Sequence, residues 1–276
     1  DRSWPARALA AIDWPRPRLA PLRVGAVAAR AFDGLWLGLV GLGIAWAVWT
    51  LVAFVARTLS WADAFEAFGL GLATLVRVVV LIALASLIWV PMGVWIGLRP
   101  AWAERLQPVA QFLAAFPANV LFPFAVMAIV TLKLDPNIWL SPLMVLGTQW
   151  YILFNVIAGA SALPSDLREA AGVFGLRGWQ WWRQVGLPGI FPYYVTGALT
   201  ASGGSWNASI VAEAVSWGDR HLEAAGLGAF IAKATAAGDY GRVALGVAVM
   251  SIFVIAFNRA LWRPMYRFAE RRLRLD

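Results

Sequence analysis

The chain has 276 residues, of which 61 % are apolar and only 14 % charged, with a formal net charge of +8. A soluble domain carries about 25 % charged residues, so this composition excludes an ordinary soluble protein and indicates a polytopic membrane protein. The absence of Cys excludes disulfides, thiolate catalysis and Cys-based metal sites, and one His, His221, leaves little for a metal centre or a catalytic triad.

Residues 1–33 are rich in Pro and Arg and read as a cytoplasmic linker or surface-lying arm rather than a helix core. They lack the ordered basic, apolar and small-residue regions of a cleavable signal. Six spans of about 20 residues follow, near the length needed to cross the hydrocarbon core. They run from Gly34 to Ala56, Val78 to Leu98, Pro108 to Leu132, Ile138 to Leu163, Gly189 to Val215, and Val243 to Trp262. Pro117 and Pro123 are expected to bend the third. Residues 34–263 thus form a transmembrane domain, and 264–276 a basic cytoplasmic tail. Many of the 17 Trp lie near span ends, where amphipathic rings suit the headgroup region. With the N-terminus inside, 17 of the 23 Lys and Arg fall on inner segments. This bias puts both termini, and residues 164–188, in the cytoplasm, and it suits anionic membrane lipid better than nucleic acid.

Between the fourth and fifth spans lies EAAGVFGLRGWQWWRQVGLP, residues 169–188. Asp166 is expected to cap a short helix with Glu169 three residues later, in the manner of a capping box. Gly175 and Gly178 permit bends with positive φ, and Pro188 suits the first turn of the next span. The spacing of Glu169-Ala170-Ala171, Gly175 and Val185-Gly186-Leu187-Pro188 resembles the EAA signature of permease subunits of binding-protein-dependent ABC importers. Only Val185 departs from it, in place of Ile. More loosely, Gln111 to Pro264 resembles the nitrate, sulfonate and taurine branch of these permeases. Some of that branch join two such units in one polypeptide, which a start at Asp1 would suit.

The resemblance implies an all-α, type I importer-like permease of the bacterial inner membrane. It implies coupling helices that dock into a cytosolic ATPase, with Glu169 as polar anchor, Ala170 and Ala171 allowing close approach, Gly175 setting the turn, and Leu187 and Pro188 opening the next span. It also implies a second permease subunit, two ATPase subunits, and a periplasmic or lipid-anchored solute-binding protein. ATP and Mg would be used by the ATPase; this chain binds no cofactor, and it has no Gly-rich phosphate loop ending in Gly-Lys-Ser/Thr. Alternatives are an ATPase-docking scaffold or sensor without transport, and a membrane-embedded enzyme, for which convergent titratable groups are lacking. An amphipathic loop on the bilayer surface is the plainer reading of residues 164–188.

Polar residues inside spans mark a path or a helix contact. Ser202, Ser205 and Ser209 share one helix face, with Asn207 nearby and Glu213 toward the outer end. These five are the candidate path residues. Gln149 and Asn155 are expected to bond neighbouring helices, Arg77 to reach the outer surface, and His221 to lie in a solvated loop. The branch suggests a small anion such as nitrate, sulfonate or taurine.

Overall fold

The structure, a computed structural model, describes residues 26–273. It divides into two units at Val52/Ala53. The first is helix α1, Ala26–Thr58, which runs on into the second and is apolar enough to cross a membrane from Arg30 onward. Residues 26–33, expected in the arm, are its first two turns; residues 1–25 and 274–276 lie outside the described residues.

In the second unit the helices are α2 (Trp61–Gly97), α3 (Pro100–Ala115), α4 (Phe122–Thr131), α5 (Pro136–Trp139), α6 (Ser141–Leu146), α7 (Trp150–Ser161), α8 (Ser165–Val173), α9 (Gly178–Trp181) and α10 (Leu187–Ala212). A two-stranded hairpin follows, β1 (Ala214–Trp217) and β2 (Arg220–Glu223), then α11 (Leu227–Ala237), α12 (Tyr240–Phe257) and α13 (Arg263–Arg272). Single π turns join α9 to α10 (Trp182–Gly186) and α12 to α13 (Asn258–Trp262).

Against the expectation of about six spans, fewer stand out as apolar. Among the described residues three helical stretches are long and apolar enough to cross a membrane, or five if each bent pair counts as one span. The third expected span breaks at Phe116–Pro117, where its halves meet at 76°, and the fourth at Gly147–Gln149, where they meet at 46°. Proline, having no N–H and clashing with the preceding turn, explains the first break. The fifth, α10, is a helix of 26 residues but is not among the apolar ones, because Thr, Ser, Gly and Asn interrupt it. The second begins at Trp61, fixed there by a capping box in which Ser60 and Asp63 bond each other's backbone N–H.

The core is a three-helix stack in which α7 is gripped between α2 and α10. A Cβ on Gly93 would lie 2.8 Å from Val156, one on Gly97 2.6 Å from the Ile157 carbonyl, and one on Gly197 2.6 Å from the Tyr151 carbonyl. Glycines on both flanks thus let the backbones approach closely, and Gly93-x-x-x-Gly97 is the small-residue pattern of membrane helix pairs. The Ser161 hydroxyl donates to the Gly97 carbonyl at 3.0 Å across the same contact. Trp89 donates to Gln149 across the α2–α7 boundary, while Asn155 turns back to its own helix at Tyr151. Helices α11 and α12 close the other side of α2.

Candidate functional site

Helix α8 begins at Ser165 with Pro164 as N-cap, and no side chain caps it. The expected capping box is therefore absent. Asp166 sits inside the first turn, where its charge still meets the positive end of the helix dipole. The other end is closed by a Schellman motif: Leu176 N–H donates to the Ala171 carbonyl and Gly175 N–H to that of Gly172. Such a motif needs a left-handed residue, and Gly175 has φ +65°. Gly178, at φ +53°, starts α9. The sequence thus folds locally into two short helices joined by a tight turn.

The π turn then delivers the chain into α10. Gly186 lies under the Trp181 ring, and Leu187 and Pro188 form the first turn of α10. Of the loop, Ala171, Val185 and Gly186 are buried. Glu169 is exposed and forms no ion pair among the described residues. Ala170 is half-buried, and Val173 and Phe174 are 86 % and 79 % exposed. The loop therefore presents a carboxylate beside two apolar side chains that nothing in the described chain covers.

The five candidate path residues fall on different sides of α10 and at its end. Ser202, Ser205 and Ser209 are buried, each donating to a carbonyl of its own helix, and Ser205 also meets Thr148 Oγ1 at 3.0 Å. Asn207 points the other way and is exposed. It shares that exposed face with Thr196 and Thr200, at helical spacings of four and seven. The spacing of the serines revealed a common face, but which way it pointed depended on packing with α7.

Glu213 is 1 % exposed and caps the end of α10. Its carboxylate accepts from Arg77 Nη1 at 2.8 Å, Thr74 Oγ1 at 2.9 Å and Gly228 N–H at 2.8 Å, the last at the positive end of α11. Gly226 lies against this carboxylate, where a Cβ would collide with it. Arg77, expected on an outer connection, lies inside α2 and also donates to the Ala225 and Asn137 carbonyls. The Asn137 side chain accepts from Ala225 N–H. A cluster centred on the buried Glu213 and Thr74, reaching the surface at Arg77 and Asn137, thus ties α2, α5, α10 and α11 together. On sequence alone Arg77 falls just outside the second span, and its partner lies 136 residues away.

On the hairpin, the cross-strand pair Ser216 and His221 is hydrogen-bonded, and His221 contacts Glu223, which also pairs with Lys233 of α11 at 2.8 Å. The Lys233 ammonium holds the Glu223 carboxyl below its usual range, against the opposing effect of partial burial; the His221 hydrogen bond adds a smaller lowering. Among the described residues no group of three or more His, Asp or Glu is placed to hold a metal ion.

Residues 89–274 match the family model described as "Binding-protein-dependent transport system inner membrane component". The nitrate import permease protein NrtB of Leptolyngbya laminosa is 27 % identical over 186 residues, 67 % of this chain and 63 % of that protein. The bicarbonate transport system permease protein CmpB of Synechococcus elongatus is 30 % identical over 145 residues, 52 % of this chain and 50 % of that protein. The chain thus spans about half to two thirds of the length of these curated relatives. A chain of the MetNI methionine ABC transporter, in an inward-facing structure, shares the fold: TM-score 0.54, 19 % identity, covering 75 % of this chain and 99 % of that one. With the family model covering the EAA loop, α10 and all that follows to residue 274, the chain belongs to the family of membrane components of binding-protein-dependent transport systems.

Proposed function

We propose that this chain is the permease subunit of an ATP-driven importer, coupled to cytosolic ATPase subunits through α8 and α9. The observation that carries this reading is the Schellman-closed helix pair, which leaves Glu169, Val173 and Phe174 exposed together. An unpaired carboxylate next to exposed apolar side chains suits a protein groove better than bulk water or lipid alone. Ala170 and Ala171 leave room for close approach, Gly175 sets the turn, and Leu187 and Pro188 pass movement of the loop directly into α10. ATP and Mg belong to the ATPase. Two nucleotide states of that partner would bias two arrangements of the same helices.

The solute path follows the Thr196–Thr200–Asn207 face of α10, closed by a second permease unit. Thr196 and Thr200 bond carbonyls of their own helix, but the exposed Asn207 amide has no partner among the described residues, which is costly against lipid and favours a wet path. The serine face and Glu213 serve instead to hold α10 against α7, α2 and α11. Both termini lie in the cytoplasm, and a solute-binding protein delivers from the side of the hairpin and α11. The solute is a small anion of the nitrate, bicarbonate or sulfonate kind, in keeping with the named relatives.

Co-purification in detergent with candidate ATPase subunits tests the coupling. Wild type is expected to retain the ATPase, while Glu169→Lys and Gly175→Trp lose it with the chain still folded. Equal retention by all three would overturn the reading. Uptake of labelled nitrate or bicarbonate into proteoliposomes then separates a transporter from a docking scaffold.

A further inference from the structure

We propose that a groove between α2 and α10 holds an acyl chain of an anionic phospholipid, whose headgroup is taken by arginines of α13. The groove measures about 710 Å³. Leu87, Val90 and Pro91 form one wall and Ile190 and Phe191 the other. Trp179 and Trp182 stand at the loop end, as amphipathic rings do at the level of lipid headgroups. At the far end the hydroxyls of Ser86 and Tyr194 hydrogen-bond each other at 3.1 Å, and Ser86 also reaches the Ile82 carbonyl. The two hydroxyls of the lining are thus already engaged, and the only other polar side-chain groups are the indole N–H of Trp179 and Trp182 at the loop end, so the body of the groove suits a hydrocarbon chain and not a small hydrated anion. It lies on the opposite side of α10 from Thr196, Thr200 and Asn207, and so is separate from the proposed path.

The charge argument singles out one class of lipid. Phe191 meets Phe268 of α13 edge-on, with ring centroids 5.8 Å apart. This contact sets the basic helix beside the groove wall. Three and four residues on from Phe268 stand Arg271 and Arg272, with Arg267 one turn before Arg271, all exposed and without an ion-pair partner among the described residues. An apolar slot with tryptophans at one end and three free guanidinium groups beside its wall complements a tail joined to a phosphate. Trp179 and Trp182 belong to the coupling loop, so an occupied groove would brace that loop from the membrane side. The choice of the cytoplasmic leaflet rests on the reading of the loop given above; the lipid site itself does not.

The test is native mass spectrometry of the full chain in mild detergent, with phosphatidylglycerol or phosphatidylcholine of the same acyl chains added back. Wild type is expected to retain phosphatidylglycerol over phosphatidylcholine by about tenfold or more, given the attraction each surface arginine adds. Leu87→Trp fills the groove from a residue that is 72 % exposed, so folding is spared and retention of both lipids is lost. Replacing Arg267, Arg271 and Arg272 together by Gln brings phosphatidylglycerol down to the phosphatidylcholine level. Equal retention of the two lipids by wild type, or undiminished retention by Leu87→Trp, overturns the proposal. So does a disulfide-linked dimer of Leu87→Cys, unambiguous in a chain with no native Cys, because a second copy would then occupy the groove. No ATPase and no transport enter this assay, so its failure is distinct from failure of the coupling reading.

Discussion

At its C-terminal end α10 finishes in Glu213, whose carboxylate is bonded by Arg77, Thr74 and the first N–H groups of α11 and is sealed from solvent. At its N-terminal end the same helix emerges from a loop whose Glu169, Val173 and Phe174 are exposed and unmatched within the described chain. Both ends carry a glutamate, yet one is satisfied by its own chain and the other has no partner among the described residues. A saturated buried network fixes geometry; an unsaturated exposed one is a surface for something else. The contrast predicts that mutations at the first end act on stability and those at the second act on association.

The largest effect is expected for Glu213→Ala. It takes the acceptor from the buried Thr74 hydroxyl and the N–H groups of Gly228 and Ala229 and leaves the half-buried Arg77 with only carbonyl partners, a loss of about 3 kcal/mol or more. Thermal unfolding in detergent would measure it. Combining Glu213→Ala with Arg77→Met should cost less than the two single changes added together, and strict additivity would remove the claim that the pair acts as a unit. Next comes Gly197→Val, which drives a side chain into the Tyr151 carbonyl and should cost about 1–3 kcal/mol by the same assay. Phe174→Ser sharpens the other side of the contrast. Its ring is exposed, so stability should stay within about 0.5 kcal/mol while ATPase recovered in co-purification falls. A drop in melting temperature matching that of Gly197→Val would instead make the loop a structural element. The smallest effect is pH-dependent. Because Lys233 depresses the folded pKa of Glu223, that contact stabilises fully above the ordinary value of 4.5 and is lost as pH falls through the lower folded value. Acidification should therefore loosen the hairpin from α11 only below about pH 4.5, and Glu223→Gln should remove that step from the hydrogen-exchange profile of residues 214–237.

What could be read from the residues was mostly local. Gly175 lies six residues after Glu169 and precedes a leucine, and its place as the left-handed residue closing α8 is a matter of a few bonds within six residues. Pro188 at the start of α10 and the long apolar stretches of α1, α2 and α12 are equally local. The bend in the third span was legible from Pro117 itself, whereas the break at Gly147–Gln149 carries no proline, and hydropathy averaged over a window runs straight across it. Gly93-x-x-x-Gly97 is plain in the sequence, but small residues declare a contact without naming the helix they meet. The Arg77–Glu213 pair was not legible at all: hydropathy and periodicity both fall silent at a separation of 136 residues.

Helix α2 has a further mechanical consequence. Its 37 residues rise about 55 Å, well beyond a hydrocarbon core of about 30 Å, so it must tilt or stand proud of the bilayer. Its internal proline, Pro91, leaves six residues on one side and thirty on the other. Proline is the commonest joint in a long helix. The short arm, carrying Gly93 and Gly97, is clasped by α7; the long arm measures about 45 Å. That long arm is not free to swing alone: Thr74 and Arg77 tie its middle to Glu213, and Asp63 near its tip pairs with Arg242 of α12 at 2.8 Å, so any bend at Pro91 must carry α10, α11 and α12 with it.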